Sequence, residues 1–373
     1  MNSSRIGKAR AFPCQTNTYF CRHFDCLKHL TMKKLLFLLP VLMLVMAACS
    51  NEFDVAAPWK EIPVAYAILS PRDTAHYVRV EKAFLDPDTD ALQIAQIADS
   101  LYYPENEIAV YLQPVNSSQL YQLRRVDGAL EGHPRKDGIF AKQPNWLYKI
   151  NASELTLMQG EKYRLVIKRT DGRPDITAET TIPGDFFFRK PDQTLSPPVI
   201  SFTPPSQTIV EWRCDANSAL FQIVFDIQYR EENANGTLIK RDTLIWNAPF
   251  ALNIENLGGS ANFRGEGLIA PADLYRFLKE NIDSVANPPF RYFDDISITL
   301  VGGGKEIKDF QTISAANLGI TGAEVLPSYT NLSEGYGIFT SKNIQKLNGV
   351  RFTNPTVDSI GNNSITRHLN FRR

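Results

Sequence analysis

Short segments of alternating apolar and polar residues run along most of the chain, and this pattern predicts mainly β-structure. In residues 75–84, for example, Tyr77, Arg79 and Glu81 share one face of a strand while His76, Val78 and Val80 share the other. The predicted strands are residues 62–70, 75–84, 107–115, 119–126, 146–150, 163–170, 176–182, 208–213, 219–230, 237–246 and 364–371, with a hairpin of 295–301 and 306–310 around Gly302–Gly304.

Two segments have a helical period instead. Residues 90–101 and 271–285 each place their apolar residues on one stripe, and Pro271 suits the first position of a helix. Strands of this length and spacing favour a sandwich over residues 59–185. The proline-rich range 186–205 is interpreted as a linker, and 206–373 as a second β-rich domain with one or two short helices.

The N-terminal region has the features of an export signal. Lys33 and Lys34 precede an apolar run from Leu35 to Ala48, which is shorter than a bilayer-spanning helix. The run ends at Ala47-Ala48-Cys49, which resembles the bacterial lipobox, so residues 32–48 are predicted to be a lipoprotein signal peptide with lipid attached to Cys49. The alternative is an ordinary signal-peptide cleavage after Ala48. Residues 49–58 would form a lipidated tether, and 1–31 an over-long gene start or part of the leader.

Three motifs resemble an uncharacterised Bacteroidota outer-membrane lipoprotein family, a numbered domain of unknown function. They are Leu157-x-x-Gly160-x-x-Tyr163-x-Leu165, residues 178–183 (AETTIP), and the segment from Pro327 to Phe339 (PSYTNLSEGYGIF). The resemblance implies an immunoglobulin-like N-terminal domain, an outer-membrane location on the periplasmic or cell-surface face, and frequent association with TonB-dependent transport systems. It implies no catalytic residue.

Charge changes the picture once the leader is separated from the body. The whole chain has 40 Lys+Arg and 40 Asp+Glu, so its formal net charge of +0 gives no electrostatic case for nucleic-acid binding. Residues 1–48 hold seven of these basic residues and one acidic residue, so the predicted mature chain has 33 basic and 39 acidic residues, a net −6. Cys49 and Cys214 are its only cysteines, which excludes a disulfide scaffold.

Motifs with possible chemistry favour structural interpretations. Gly302-Gly303-Gly304-Lys305 lacks the first glycine and the final Ser or Thr of a phosphate loop. Asp86, Asp88 and Asp90 imitate a calcium loop but lack its glycine and its last glutamate, so they are predicted to cap the following helix. Cys214 has no histidine near it in sequence and is predicted to be buried and free. No cofactor, metal site or enzymatic activity is predicted.

The candidate binding residues are aromatic. Phe186, Phe187 and Phe188 could form an exposed platform, although packing between domains is the favoured alternative. Tyr329, Tyr336 and Phe339 lie in a glycine-containing segment and could line either a core or a groove. The sequence thus predicts a lipid-anchored cell-envelope binding protein of unknown ligand, and the family resemblance favours a role as accessory to a TonB-dependent outer-membrane transporter. The alternatives are an adhesin or fimbria-associated surface protein and, third, an enzyme with a spatially assembled site.

Overall fold

Most of the predicted strands form in the computed structural model, and the predicted mainly β fold class is confirmed. The structure describes residues 61–83, 91–316 and 329–373. The first half contains β1 (Ile62–Leu69), β2 (Ala75–Ala83), β3 (Ile108–Pro114), β4 (Tyr121–Gln122), β5 (Arg124–Asp127), β6 (Trp146–Asn151), β7 (Lys162–Arg169) and β8 (Ile176–Thr181). The second contains β9 (Phe187–Lys190), β10 (Val199–Ile200), β11 (Thr208–Cys214), β12 (Leu220–Glu232), β13 (Leu238–Ala248), β14 (Ala251–Asn256), β15 (Phe263–Ile269), β16 (Phe290–Gly303) and β17 (Tyr336–Phe352).

One large sheet runs through both halves of the described chain. Its strand order is β13-β12-β16-β17-β1-β2-β6-β5, and β10 pairs with β17 beside this path. In the first half, the small sheet β4-β3-β7-β8 packs on it around a core that includes Leu69, Val110, Leu165 and Ile167. In the second half, the sheet β14-β15-β11-β9 encloses a separate core with Trp212 at its centre. The result is two sandwich-like halves, and the large sheet supplies one layer of each.

The helices are short: α1 (Ala91–Ala95), α2 (Ala98–Leu101), α3 (Pro271–Asn281), α4 (Lys305–Ala316), α5 (Asn354–Asn362) and a 3-10 turn at Arg367–Leu369. The single helix predicted at 90–101 is interrupted, because the Ala95 carbonyl accepts a hydrogen bond from the Ala141 N–H (2.8 Å) and Ile97 is extended. None of the helices in the described part of the chain is long and apolar enough to cross a membrane.

Two predicted strands are wrong. Residues 306–310 belong to α4, because the two apolar residues of this segment, Ile307 and Phe310, are three positions apart and so share one face of a helix. Gly302 and Gly303 end β16 instead of forming a hairpin turn, and the Phe186 ring and the Ile307 side chain fill the space where their Cβ atoms would lie. Within 364–371, the chain forms the 3-10 turn, and Phe371 makes only an isolated bridge to Arg291.

Strand β17 joins the two halves. Its residues 336–341 pair in parallel with β1, and 342–350 pair antiparallel with β16. Gly335 and Gly337 have φ values of +89° and +130°, and a Cβ at Gly337 would lie 1.9 Å from the Ala65 carbonyl oxygen. The Asn331 side chain donates to the Phe339 carbonyl (2.7 Å) and accepts from the Phe339 N–H (2.9 Å). The Asn-x-x-x-Gly-x-Gly pattern therefore builds the strand junction.

The range 186–205 departs from the linker predicted for it. Phe187–Lys190 forms β9 and pairs with β11, while Val199 and Ile200 pair with β17. Phe186, immediately before β9, and Phe188 within it are buried, whereas Phe187 is 40% exposed. The three phenylalanines thus face opposite sides of a strand, and prolines at 191, 197, 198, 204 and 205 surround short strands that close the second core.

Gly337→Ala should destabilise the protein far more than Gly349→Ala. Both glycines have positive φ, but a Cβ at Gly349 meets nothing within 4 Å, so only backbone strain of about 1 kcal/mol is expected there. At Gly337 the clash with the β1 backbone adds to the strain, and a loss of at least about 3 kcal/mol is expected. Urea unfolding of both variants measures the difference, and equal losses would contradict the role given to the β1–β17 junction.

Phe188→Ala should cost about 3–5 kcal/mol of unfolding free energy, because it empties a fully buried position. Phe187→Ala is the matched control one residue away, and its half-exposed ring should cost less than about 1 kcal/mol. Chemical denaturation of the two variants is the measurement. A large cost at Phe187 would mean that its exposed face is covered in solution.

Candidate functional site

The aromatic residues predicted as binding candidates do not come together as one platform. Phe186, Phe188 and Phe339 are buried in the cores, and Tyr329 is half-buried. Phe187 and Tyr336 (47% exposed) are accessible, but Phe187 lies opposite Arg213 in the small second-half sheet while Tyr336 lies opposite Val64 in the large sheet. Phe186 and Phe188 pack in the second core, so two of the three phenylalanines are not part of an exposed platform. Cys49 lies outside the described residues.

The thiol and histidine that could support nucleophilic catalysis lie apart. Cys214 is free and buried in the second core, where burial raises the pKa of its thiol to about 11, so it carries little thiolate at neutral pH. His76 is buried in the first half, its Nε2 lies 3.2 Å from the Leu155 carbonyl oxygen, and burial lowers its pKa. This arrangement gives neither residue a catalytic partner in the other.

The acidic residues considered for catalysis or metal binding also have structural partners. Glu231 accepts from Arg291 (2.8 Å) and Glu232 from Arg230 (2.6 Å), so the adjacent acids neutralise different arginines. Within residues 61–83, 91–316 and 329–373, no group of three or more His, Cys, Asp or Glu side chains could hold a metal ion. The predicted helix cap at Asp86–Asp90 lies outside the described residues.

An apolar groove in the first half is the best candidate site, and strand β1 forms its floor. β1 is apolar on both faces, but its small residues Ala65 and Ala67 face the core while Tyr66 (43% exposed) and Ile68 (46% exposed) face outward. A strand with two apolar faces is usually covered on both. Here the outward face of β1 remains accessible among the described residues, which leaves large apolar side chains available for contact.

Three other elements supply the walls of this groove. β2 lies beside β1 and contributes Arg79 and Glu81, which are opposite Tyr66 and Val64 in register. The short helices α1 and α2 and the segment from Arg135 to Phe140 close the remaining sides. The cavity measures about 500 Å³, within the range of small-molecule sites. Its lining consists of Val64, Tyr66, Arg79, Glu81, Lys82, Ala83, Leu92, Ala95, Leu101, Arg135, Ile139 and Phe140.

Charged side chains lie within this apolar lining. Glu81 accepts hydrogen bonds from Arg79 (3.0 Å) and from Arg135, and all three side chains are mostly buried. The Arg135 guanidinium also lies 5.1 Å from the centre of the Phe140 ring. Burial, with a smaller effect of Glu81, raises the pKa of Tyr66, so its hydroxyl remains a protonated donor at neutral pH.

A larger cavity, about 600 Å³, lies in the second half between β12, β13 and the start of β16, but its chemistry is less suited to a ligand. Five of its six charged lining residues are paired: Arg291 with Glu231, Glu232 with Arg230, and Lys240 with Asp242 (2.7 Å); the sixth is Asp283. Paired charges offer a ligand little that the protein has not satisfied itself. The apolar groove is smaller, but its lining includes exposed aromatic and aliphatic side chains.

The groove residues were not candidates in the sequence analysis, although part of the signal was present. Alternation placed Arg79 and Glu81 on one strand face, and the unbroken apolar run of β1 indicated a strand without a polar side. Arg135, Ile139 and Phe140 have no such periodicity, because they lie in an irregular segment between β5 and β6. Their approach to β1 depends on tertiary structure.

No protein-family model matches the chain, and no curated protein matches it. Among solved structures, the chain is similar to one described as "Crystal Structure of Rst D1-D2", with 8% sequence identity and a TM-score of 0.17. The similarity covers 79% of this chain and 99% of that chain. A similarity at this level establishes neither a shared fold nor a shared function, so the chemistry of the groove follows from its own residues.

Proposed function

We propose that this chain is a lipid-anchored cell-envelope protein that binds a small apolar ligand in the groove between β1, β2 and the 135–140 segment, and that it acts by binding and not by catalysis. The observation that carries this proposal is the outward face of β1, where Tyr66 and its neighbours form an accessible apolar surface within a cavity of ligand size. A preformed concave site with few polar groups is typical of ligand-binding proteins.

The lipid anchor is supported by the sequence around Cys49. A basic start, an apolar run and a terminal Ala-Ala-Cys together are what lipoprotein processing requires. If Cys49 carries lipid, Val64 in the groove is 15 residues from the anchor, and an extended chain of that length reaches at most about 50 Å. The covalent chain would therefore hold the groove close to a membrane surface.

A role as accessory to a TonB-dependent outer-membrane transporter would give such a tethered groove a purpose, since a binding protein beside a transporter raises the local concentration of its ligand. The support for this partner is the resemblance of residues 157–183 and 327–339 to the lipoprotein family described above.

An adhesin or fimbria-associated role is the second candidate, and one observation favours it. β14 is exposed along its whole length at the edge of its sheet, with Leu252 and Ile254 accessible, and an exposed edge strand can pair with a strand from another chain. This edge is distant in topology from the apolar groove, so the two candidate functions depend on different surfaces.

Phe140→Ala should weaken binding of Nile red, an uncharged apolar dye, by about tenfold, because the lost aromatic contact is worth on the order of 1.4 kcal/mol. Phe187→Ala is the matched control, since it removes a similarly exposed phenylalanine in the second half and should leave the affinity unchanged. Fluorescence titration measures both. Dye binding that is absent in the wild type, or equally affected by both variants, would contradict a site in the groove.

Crosslinking in intact membranes followed by purification of this chain should capture a TonB-dependent transporter. The control is Cys49→Ala, in which the loss of the anchor should reduce the capture strongly, because the tethered local concentration is lost. Mass spectrometry identifies the captured chains. Capture of fibre subunits or further copies of this chain, with no transporter, would support the adhesin role instead.

A further inference from the structure

The charges that line the apolar groove do not balance. Arg79, Lys82 and Arg135 are basic, and Glu81 is the acidic residue among the described lining residues. The lining therefore has a formal net charge of +2. The rest of the lining is apolar apart from the hydroxyl of Tyr66, so the lining holds no second carboxylate that could balance this charge.

The hydrogen bonds around Glu81 show where the excess charge is located. Glu81 Oε1 accepts from Arg79 Nη1 (3.0 Å) and from Arg135 Nη2, so one carboxylate oxygen serves two guanidinium groups. The side chains of Arg79, Glu81 and Arg135 are 22%, 12% and 14% exposed. Arg135 Nη1 also donates to the Ala141 carbonyl (3.4 Å), but a neutral carbonyl carries no charge, and one carboxylate cannot neutralise two guanidinium groups with five N–H donors each. Two arginines and one glutamate in a poorly solvated place favour the arrival of a second anion.

The apolar part of the groove is continuous with this charged part. Arg79 is opposite Tyr66 in the β1–β2 register, and the Arg135 guanidinium lies against the Phe140 ring. Ile139 extends the same wall and is 54% exposed. A molecule whose apolar portion contacts Tyr66, Ile139 and Phe140 would bring its polar end to the two arginines.

We infer that the groove binds an apolar monoanion, with its acidic group beside Arg79 and Arg135 and its hydrocarbon or aromatic portion against Tyr66, Ile139 and Phe140. This inference rests on the binding function proposed above and gives that site its ligand class. The acidic group of the ligand neutralises the arginine charge that Glu81 does not compensate. The Tyr66 hydroxyl is a further hydrogen-bond donor, and Tyr66 lies opposite Arg79 in the β1–β2 register. Neutral apolar molecules gain only the apolar contact, and cations meet two guanidinium groups.

The contributions of charge and of apolar contact are separated by measuring how three amphiphiles with ten-carbon alkyl chains displace Nile red. The assay uses the full-length chain with Cys49→Ala, so that no lipid is attached to the protein. The competitors are decanoate, decan-1-ol and decyltrimethylammonium, each below its aggregation concentration. Decanoate should bind at least tenfold more tightly than decan-1-ol, and the cation more weakly than both. Shortening decanoate to octanoate should weaken binding by about tenfold, because each methylene contributes a factor of three to four.

Two variants locate the anion. Arg135→Gln should abolish the preference for decanoate over decan-1-ol. The preference is the ratio of the two affinities, so a shift of the 135–140 wall, which weakens both ligands alike, leaves it unchanged, whereas loss of the guanidinium weakens decanoate alone. Arg124→Gln is the matched control: Arg124 pairs with Glu154 at an exposed position outside the groove, so the preference should persist. Glu81→Gln should strengthen decanoate binding, since it removes the anion that competes for both arginines. Circular dichroism of each variant verifies its fold.

The outcomes distinguish the ligand class from the proposed function. Equal affinities for decanoate and decan-1-ol, or tighter binding of the cation, would overturn the inference while the groove remained an apolar binding site. A preference that survives Arg135→Gln and disappears with Arg124→Gln would place the anion elsewhere and also overturn it. Absence of binding by Nile red and by all three amphiphiles would overturn the inference together with the proposed function.

Discussion

The parallel pairing of β17 with β1 is the constraint on which the rest of the architecture depends. Parallel strands need a long connection, and here the two partners are separated by most of the chain. The pairing needs glycine at 335 and 337, where the β1 backbone comes too close for any side chain. It also needs Asn331, whose amide replaces a strand partner for Phe339. These three residues are not chemically reactive, and their role is to make a close backbone approach possible.

Strand β17 also connects the two sandwich-like halves. From β1, β17 continues into the second half, and its polar side chains form hydrogen bonds with the end of β8 and with the chain that follows it. The Asn343 amide donates to the Gly184 carbonyl (2.8 Å), and Ser341 lies 3.0 Å from the hydroxyl of Thr180. Because these buried polar groups satisfy one another, the crossing between halves is fixed by hydrogen bonds as well as by packing. The range 186–205, for which the sequence predicts a linker, follows directly and contains core strands through the pairing of β9 with β11 and of β10 with β17.

Features that depend on neighbouring residues in the sequence could be predicted, whereas features that depend on residues far apart in the sequence could not. Strands such as β7 and β11 were predictable because their alternation is local, and the sandwich class follows from their number. The pairing of β1 was not predictable, since a run apolar on both faces does not indicate its partner. Helix α4 could not be recognised from residues 306–310 alone, because these five residues form little more than one turn of it. Part of the groove could be predicted, because alternation places Arg79 and Glu81 on one face of a strand. Nothing in the sequence places Arg135 beside them.

The groove is formed partly by the sheet strands β1 and β2 and partly by an irregular segment. β1 is held on both sides by β17 and β2, so Tyr66 and Arg79 are positioned by sheet hydrogen bonds. Arg135 comes from an irregular segment, which is fixed at its base where the buried Asn145 amide donates to the His133 carbonyl (2.6 Å). The ion pair with Glu81 ties this segment to β2. A group that competes with Glu81 for Arg135 therefore acts on a wall of the groove that no sheet holds, so binding and the position of that wall are coupled.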